Sequence, residues 1–216
     1  MNPGIHRGAT TSGGRVALGG NLLGGPVILN GVVDDIVRSV VDAGDRDEAI
    51  EALFFALYPR LARSAFGLVG DWDVAEQLTQ EAFLRLWRRW PWLRDPQAAP
   101  AYLQRTVVNL ARLSLRRLAV ERRALARDAG ERAVASADDG GDLASDLALR
   151  RAVEALPYRK RACVVLRYLV GLSEAETADA LGVSVGTVKS QTHKALRQLR
   201  DVLGESASVA KKGSAT

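Results

Sequence analysis

The sequence predicts an all-α protein made of two small helical domains joined by a flexible acidic linker. Three observations carry this. Apolar residues recur at helical spacing, and no convincing run alternates as a half-buried strand would. Two basic blocks each lie inside a helical pattern: 85–127 holds eleven arginines against two acids, and 185–200 holds four basic residues and no acid. Between them the sign reverses, with six acids against one arginine over 128–146 in a stretch rich in Gly, Ala and Ser. That composition suits a flexible connector.

The first element is an N-terminal extension, residues 1–48, expected to be disordered. Its apolar stretch at 16–33 is diluted by glycine and Pro26, so it makes a poor spanning helix and a poor secretory signal. No segment reaches the roughly 18 apolar residues a transmembrane helix needs, and a cytoplasmic protein is expected. The first domain, 49–119, opens with a helix in which Ile50, Leu53, Phe54, Leu57 and Leu61 share a face, kinked or restarted at Pro59. Gly70-Asp71 ends it. A second helix over Asp73–Trp90 places Val74, Leu78, Ala82 and Leu86 on one face, with Phe83, Trp87 and Trp90 beside it. Pro91, Pro96 and Pro100 impose a short non-helical loop, PWLRDPQAAP. The third helix opens near Pro100 and turns Leu103, Val107, Leu110 and Ser114 inward, leaving Arg105, Arg112, Arg116 and Arg117 outside.

After the linker (120–144), the second domain spans 145–203, with helices near 145–156, 159–170, 173–181 and 184–202; residues 204–216 form a disordered tail. Ser173 and Glu176 make a capping box. Gly182 suits a left-handed C-cap and Ser184 an N-cap, so LSEAETADALGVSVGTVKSQTHKALRQLR reads as a helix-turn-helix.

Composition narrows the chemistry. A net charge of +5 with pI near 9.7 invites an anionic partner. A single cysteine, Cys163, and two distant histidines, His6 and His193, leave no disulfide framework, zinc site or triad to build. No catalytic residue, metal or cofactor is expected, and Cys163 reads as a small core hydrophobe. In a helix-turn-helix the second helix enters the major groove. Here its polar positions are Ser184, Thr187, Lys189, Ser190, His193, Lys194 and Arg197, with Gly186 allowing close backbone approach. Val188, Ala195, Leu196 and Leu199 form its core side. In the first domain, arginines interleave with Trp87, Trp90, Trp92 and Tyr102 around a proline-bent loop, the pairing of cations and stacking surfaces that opened DNA requires. Asn109 shares a helix face with Arg105, Arg112 and Arg116, where it could bond a base or pack against the loop.

The strings DWDVAEQLTQEAFLRLWRRW and RDPQAAPAYLQRTVVNLARLSLRR resemble region 2 of bacterial sigma-70-type factors of the extracytoplasmic-function group. LPYRKRACVVLRYLVGLSEAETADALGVSVGTVKSQTHKALRQLR is similar to region 4 of the same group. The resemblance implies a non-catalytic initiation subunit that binds core RNA polymerase and directs it to promoter DNA, with region 2 on the −10 element and region 4 on the −35 element. It further implies that Glu76, Gln80, Glu81, Leu84 and Trp87 dock on polymerase, and that Trp92, Arg94, Asp95 and Gln97 form a −10 specificity loop. Tyr102, Arg105, Asn109, Arg112 and Arg116 then contact −10 DNA. An anti-sigma protein is a candidate further partner. Two other readings compete: a stand-alone helix-turn-helix regulator, and an enzyme acting on nucleic acid. The first leaves the Trp/Arg loop without a role; the second lacks a paired carboxylate cluster, a P-loop and a nucleophile–base constellation.

Overall fold

A computed structural model of the protein describes residues 45–128 and 141–213. Expectations for residues 1–44, for 129–140 of the connector and for 214–216 lie outside the described residues. Among the described residues every regular element is helical: α1 Arg46–Val69, α2 Trp72–Arg89, two 3-10 turns at Trp90–Trp92 and Pro96–Ala98, α3 Ala99–Asp128, α4 Gly141–Glu154, α5 Tyr158–Val164 running into a π turn Val165–Leu169, α6 Glu174–Leu181 and α7 Val185–Gly213.

The helices start and stop where side-chain chemistry tells them to. Asp45 caps α1 by accepting from the Asp47 amide, and Asp71 caps α2 by accepting from that of Val74. Pro59 stays inside one continuous α1 and does not restart it. A proline inside a helix removes one amide donor and crowds the carbonyl four residues back, yet the buried stripe through Leu53, Leu57 and Leu61 continues across it. The segment expected to be non-helical, PWLRDPQAAP, instead holds two short 3-10 turns, each with proline in its first turn. Helix α3 runs past residue 119 to Asp128. Its extension, AVERRALARD, contains neither Gly nor Pro and is rich in good helix formers, so the helix continues into the segment whose charge composition suggests a connector. Helix α4 begins at Gly141 and α7 continues through 204–213, both beyond the expected bounds.

Helices α1, α2 and α3 close over one core built from Leu53, Leu57, Leu61, Phe83, Leu86, Leu103, Val107 and Leu110. Helix α1 is, among those described, the one long and apolar enough to cross a membrane; here its apolar stripe is packed into this core. The C-terminal helices have smaller cores, one of Ala152, Leu156, Val164, Ala195 and Leu199, another of Cys163, Ala178 and Val188. Burial raises the Cys163 thiol pKa, as befits a packed and unreactive sulfur.

A further cluster belongs to both halves: Leu68, Val108 and Ala111 from α1 and α3 pack with Ala162, Val165, Leu166, Val170, Leu172 and Ala180. Gly67 marks the closest approach. A Cβ there would lie 2.8 Å from Leu169 Cδ2 and 2.9 Å from Val165 Cγ1, so only a glycine lets α1 sit against the π turn at this spacing. Polar contacts frame the seam. Tyr158 donates its hydroxyl to the Val108 carbonyl at 2.8 Å, Arg161 donates to that of Leu68 at 2.8 Å, and Arg150 to that of Gly70 at 2.9 Å.

Candidate nucleic-acid interface

The C-terminal candidate begins at α6. Ser173 accepts from the Glu176 amide at 3.1 Å while Glu176 accepts from the Ser173 amide at 2.7 Å, a complete capping box. These bonds to Ser173 hold the Glu176 carboxyl below its ordinary pKa, with Arg60 and Arg167 adding to the effect. Gly182 turns the chain with φ +63°, a left-handed value that a side chain would strain. Ser184 then caps α7, accepting from the Thr187 amide at 3.2 Å.

The Val188, Ala195 and Leu199 side chains of α7 are buried. The opposite face presents Ser184, Gly186, Lys189, Ser190, His193, Lys194 and Arg197, all exposed, with Thr187 half-buried among them. A Cβ at Gly186 would come no closer than 3.9 Å to any neighbour, Ser184 Oγ. Among the described residues nothing fills that spot, so a ligand backbone can approach it. Lys189 lies 3.5 Å from Glu174. Arg197 lies 2.9 Å from the His193 Nε2, one turn back on α7.

The N-terminal candidate is the outer face of α3 with the turns before it. Arg105, Asn109, Arg112 and Arg116 are all exposed along one side of the helix, as their spacing requires. Arg94, Asp95 and Gln97 lie in the turn region, where Trp92 leaves 72% of its surface to solvent. Asp95 also shapes that region locally, because its carboxylate accepts from the Gln97 amide at 2.9 Å and opens the second 3-10 turn. Tyr102 differs from the others, being half-buried and packed on the core of α1–α3. Arg105 is engaged within the chain. It donates to the Asp179 carboxylate at 2.5 Å and to the Asp179 carbonyl at 3.2 Å.

A third surface lies on α2. Glu76 is exposed, and Glu81 pairs with Arg85 at 2.8 Å. Gln80 is exposed one turn along from Glu76. Leu84 and Trp87 remain 49% and 44% exposed despite their apolar bulk. Trp87 donates to Asp47 at 3.2 Å and lies under the Arg46 guanidinium, 4.4 Å from the ring centre. Phe55 continues this surface onto α1 and is 73% exposed; together Ile50, Phe54, Phe55 and Trp87 line a shallow depression edged by Asp47 and Glu51. Sequence reasoning missed Phe55. The signal was an apolar residue falling off the stripe of Leu53, Phe54, Leu57 and Leu61. Among the described residues no group of three or more His, Cys, Asp or Glu could hold a metal ion.

Comparisons with known proteins agree with this geometry. The Sigma-70 region 2 profile matches residues 53–120 and the Sigma-70, region 4 profile matches residues 146–199. The chain is 38% identical over 159 residues to the RNA polymerase sigma-E factor of Streptomyces avermitilis, covering 71% of this chain and 87% of that protein. It is 34% identical over 162 residues to the ECF RNA polymerase sigma factor SigM of Mycobacterium tuberculosis, covering 75% and 80%. Among solved structures, it is similar to the sigma factor RpoE in complex with the anti-sigma factor NepR from Bartonella quintana (TM-score 0.57, 22% identity, 71% of this chain and 96% of that one). It is also similar to CnrH in complex with the cytosolic domain of CnrY (TM-score 0.58, 22% identity, 80% and 98%). At these identities the structural likeness concerns the fold.

Proposed function

This chain belongs to the sigma-70 family of RNA polymerase sigma factors, in its extracytoplasmic-function group, and from that premise we propose that the three surfaces described above are its polymerase-binding and promoter-binding faces. As a sigma factor it directs transcription initiation, and its partners are core RNA polymerase and promoter DNA. In this reading it performs no chemistry of its own and works in the cytoplasm, where those partners are. An anti-sigma protein is a further candidate partner; one structural neighbour is a sigma factor in complex with an anti-sigma factor.

The observation that carries the residue-level reading is the pairing, in one chain, of a capped helix-turn-helix with a second cationic helix face beside exposed tryptophan. Region 4 reads the −35 element through Ser184, Gly186, Thr187, Lys189, Ser190, His193, Lys194 and Arg197. Side chains early in α7 reach base edges, and later ones reach phosphates. Region 2 engages the −10 element through Arg94, Asp95, Gln97, Arg105, Asn109, Arg112 and Arg116, with Trp92 as the stacking surface and Tyr102 fixing the loop against the core. Opening a base pair costs a few kcal/mol, which stacking and hydrogen bonds in a protein pocket must offset. Glu76, Gln80, Glu81, Leu84 and Trp87 dock on polymerase, and Phe55 joins them because it extends the same exposed apolar surface.

Each DNA-binding module is small, so specific affinity comes from presenting both at a fixed spacing on polymerase, an effective-concentration effect. The test is an electrophoretic shift of promoter duplex with and without core polymerase. A strong, sequence-selective complex only in the presence of polymerase is expected. Equal binding by the chain alone would instead favour a stand-alone helix-turn-helix regulator, a role that leaves the exposed Leu84, Trp87 and Phe55 without a purpose.

A further inference from the structure

Trp87 is held by two neighbours that carry no assigned role. Its indole N–H donates to Asp47 Oδ1 at 3.2 Å, and the Arg46 guanidinium lies 4.4 Å from the ring centre. Arg46 also donates through Nε to that same oxygen at 2.8 Å, so indole, carboxylate and cation close a triangle. Asp47 is itself anchored: it lies in the first turn of α1, and its amide donates to the Asp45 carboxylate at 2.8 Å. Asp47 and Trp87 stand 40 residues apart, so α1 and α2 must pack before the grip can form. Their shared core brings this about, because Phe83 and Leu86 of α2 lie in one cluster with Leu53 and Leu57 of α1.

We propose that Arg46 and Asp47 are positioning residues for polymerase docking, holding the Trp87 indole in the orientation that core polymerase receives. The inference rests on the assignment of Trp87 to the polymerase-docking face. An ordinary surface tryptophan turns about two side-chain bonds and loses that freedom on binding. Here a cation over one face and a carboxylate at the ring edge restrict it beforehand. A second effect acts on the N–H. Indole only donates, and a partner that covers this 44% exposed ring strips water from the donor. Asp47 keeps it paired, and Arg46 balances a carboxylate that would otherwise be desolvated alone. The free chain gains little stability from the arrangement, because the Arg46 and Asp47 side chains are 38% and 67% exposed and an ion pair in that setting is weak. Its effect therefore belongs to binding.

The test titrates fluorescently labelled core polymerase with the full chain, and follows the free chain through its indole N–H signals in a nitrogen-15 correlation spectrum. The Trp87 signal is assigned by its loss in Trp87→Phe. Asp47→Ala should weaken polymerase binding about tenfold, shift the Trp87 indole signal and leave the urea midpoint at the wild-type value. Arg46→Met, which keeps the length of the side chain without its charge, should weaken binding about threefold. In a Trp87→Phe background, where there is no N–H to hold, Asp47→Ala should cost less than about twofold. A merely structural aspartate would instead lower the unfolding midpoint, and equally in both backgrounds. Wild-type affinity for Asp47→Ala overturns the proposal. So does a loss that persists undiminished in the Trp87→Phe background, which would put Asp47 itself against polymerase. Trp87→Ala separates this inference from the reading beneath it. Wild-type affinity for that variant refutes the docking assignment and the positioning role with it, whereas weakened binding beside an unaffected Asp47→Ala refutes the positioning role alone.

Discussion

Trp92 and Asn109 are where chemistry and exposure coincide most closely in region 2. A tryptophan that leaves 72% of its surface in water gains little from burial and has its faces free to stack on a base. Asn109, exposed one turn along from Arg105, offers both a donor and an acceptor. Replacing both with alanine should leave polymerase binding and the closed promoter complex nearly intact. Permanganate reactivity of −10 thymines should fall, and a pre-melted template should restore transcription. Unaltered footprints would remove the pair from DNA opening. In region 4, Lys189 and Arg197 separate by position along α7. Lys189→Ala should relax preference at one −35 position, for about 1–3 kcal/mol, whereas Arg197→Ala should weaken all sequences alike and lower the salt slope by about 1. Selection from a randomised −35 library distinguishes them; an unchanged preference for Lys189→Ala would contradict its base-reading role.

At the scale of elements, the caps decide which helices present these residues. The Ser173–Glu176 box starts α6, and Ser173→Ala should cost about 0.5–2 kcal/mol, read as a lower midpoint in urea unfolding. Glu176 adds a pH dependence of known sign. Its folded pKa is lowered by the bonds to Ser173, so its stabilising contribution is present above the ordinary glutamate value and lost as pH falls through the depressed one. Wild type should exceed Glu176→Gln in stability at neutral pH, and the difference should shrink on acidification below the ordinary value of 4.5. A constant difference down to strongly acidic pH would contradict the assignment. Helix α2 carries a different burden: Ala75, Thr79, Ala82, Phe83 and Leu86 are its buried residues, and Leu84 and Trp87 stay exposed outside that core. Charge reversal at Glu81 together with Leu84→Ala should abolish co-purification with core polymerase without altering the helical circular-dichroism signal. Undiminished co-purification would show that polymerase docks elsewhere.

At the scale of the whole molecule, individual helices were legible and their mutual arrangement was not. Leu53, Leu57 and Leu61 announce an apolar stripe by spacing alone, and the S-x-x-E and Gly182–Ser184 signals locate the helix-turn-helix to within a residue. The seam had no such signature. Leu68, Val108 and Ala111 look like ordinary positions on their helices, because periodicity says that a face is apolar without saying what covers it. Arg105 and Asp179 stand 74 residues apart, a pairing no local pattern encodes. Over residues 120–128 charge composition suggests a connector while helix propensity favours continuation, and α3 runs on to Asp128. Phe55 has no periodic signature, because it falls off the stripe that Phe54 shares with Leu53, Leu57 and Leu61.

The proposed role is that of a promoter-selecting subunit whose two DNA-binding modules act together only on polymerase. Its most direct test is transcription from a pool of genomic fragments with core polymerase, the purified chain, or both, followed by mapping of the 5′ ends. Discrete start sites are expected only when both are present, each preceded by a common pair of elements at fixed spacing, with the upstream element altered in preference by Lys189→Ala. Start sites that are the same with polymerase alone, or fragments bound equally well by the chain without polymerase, would contradict it.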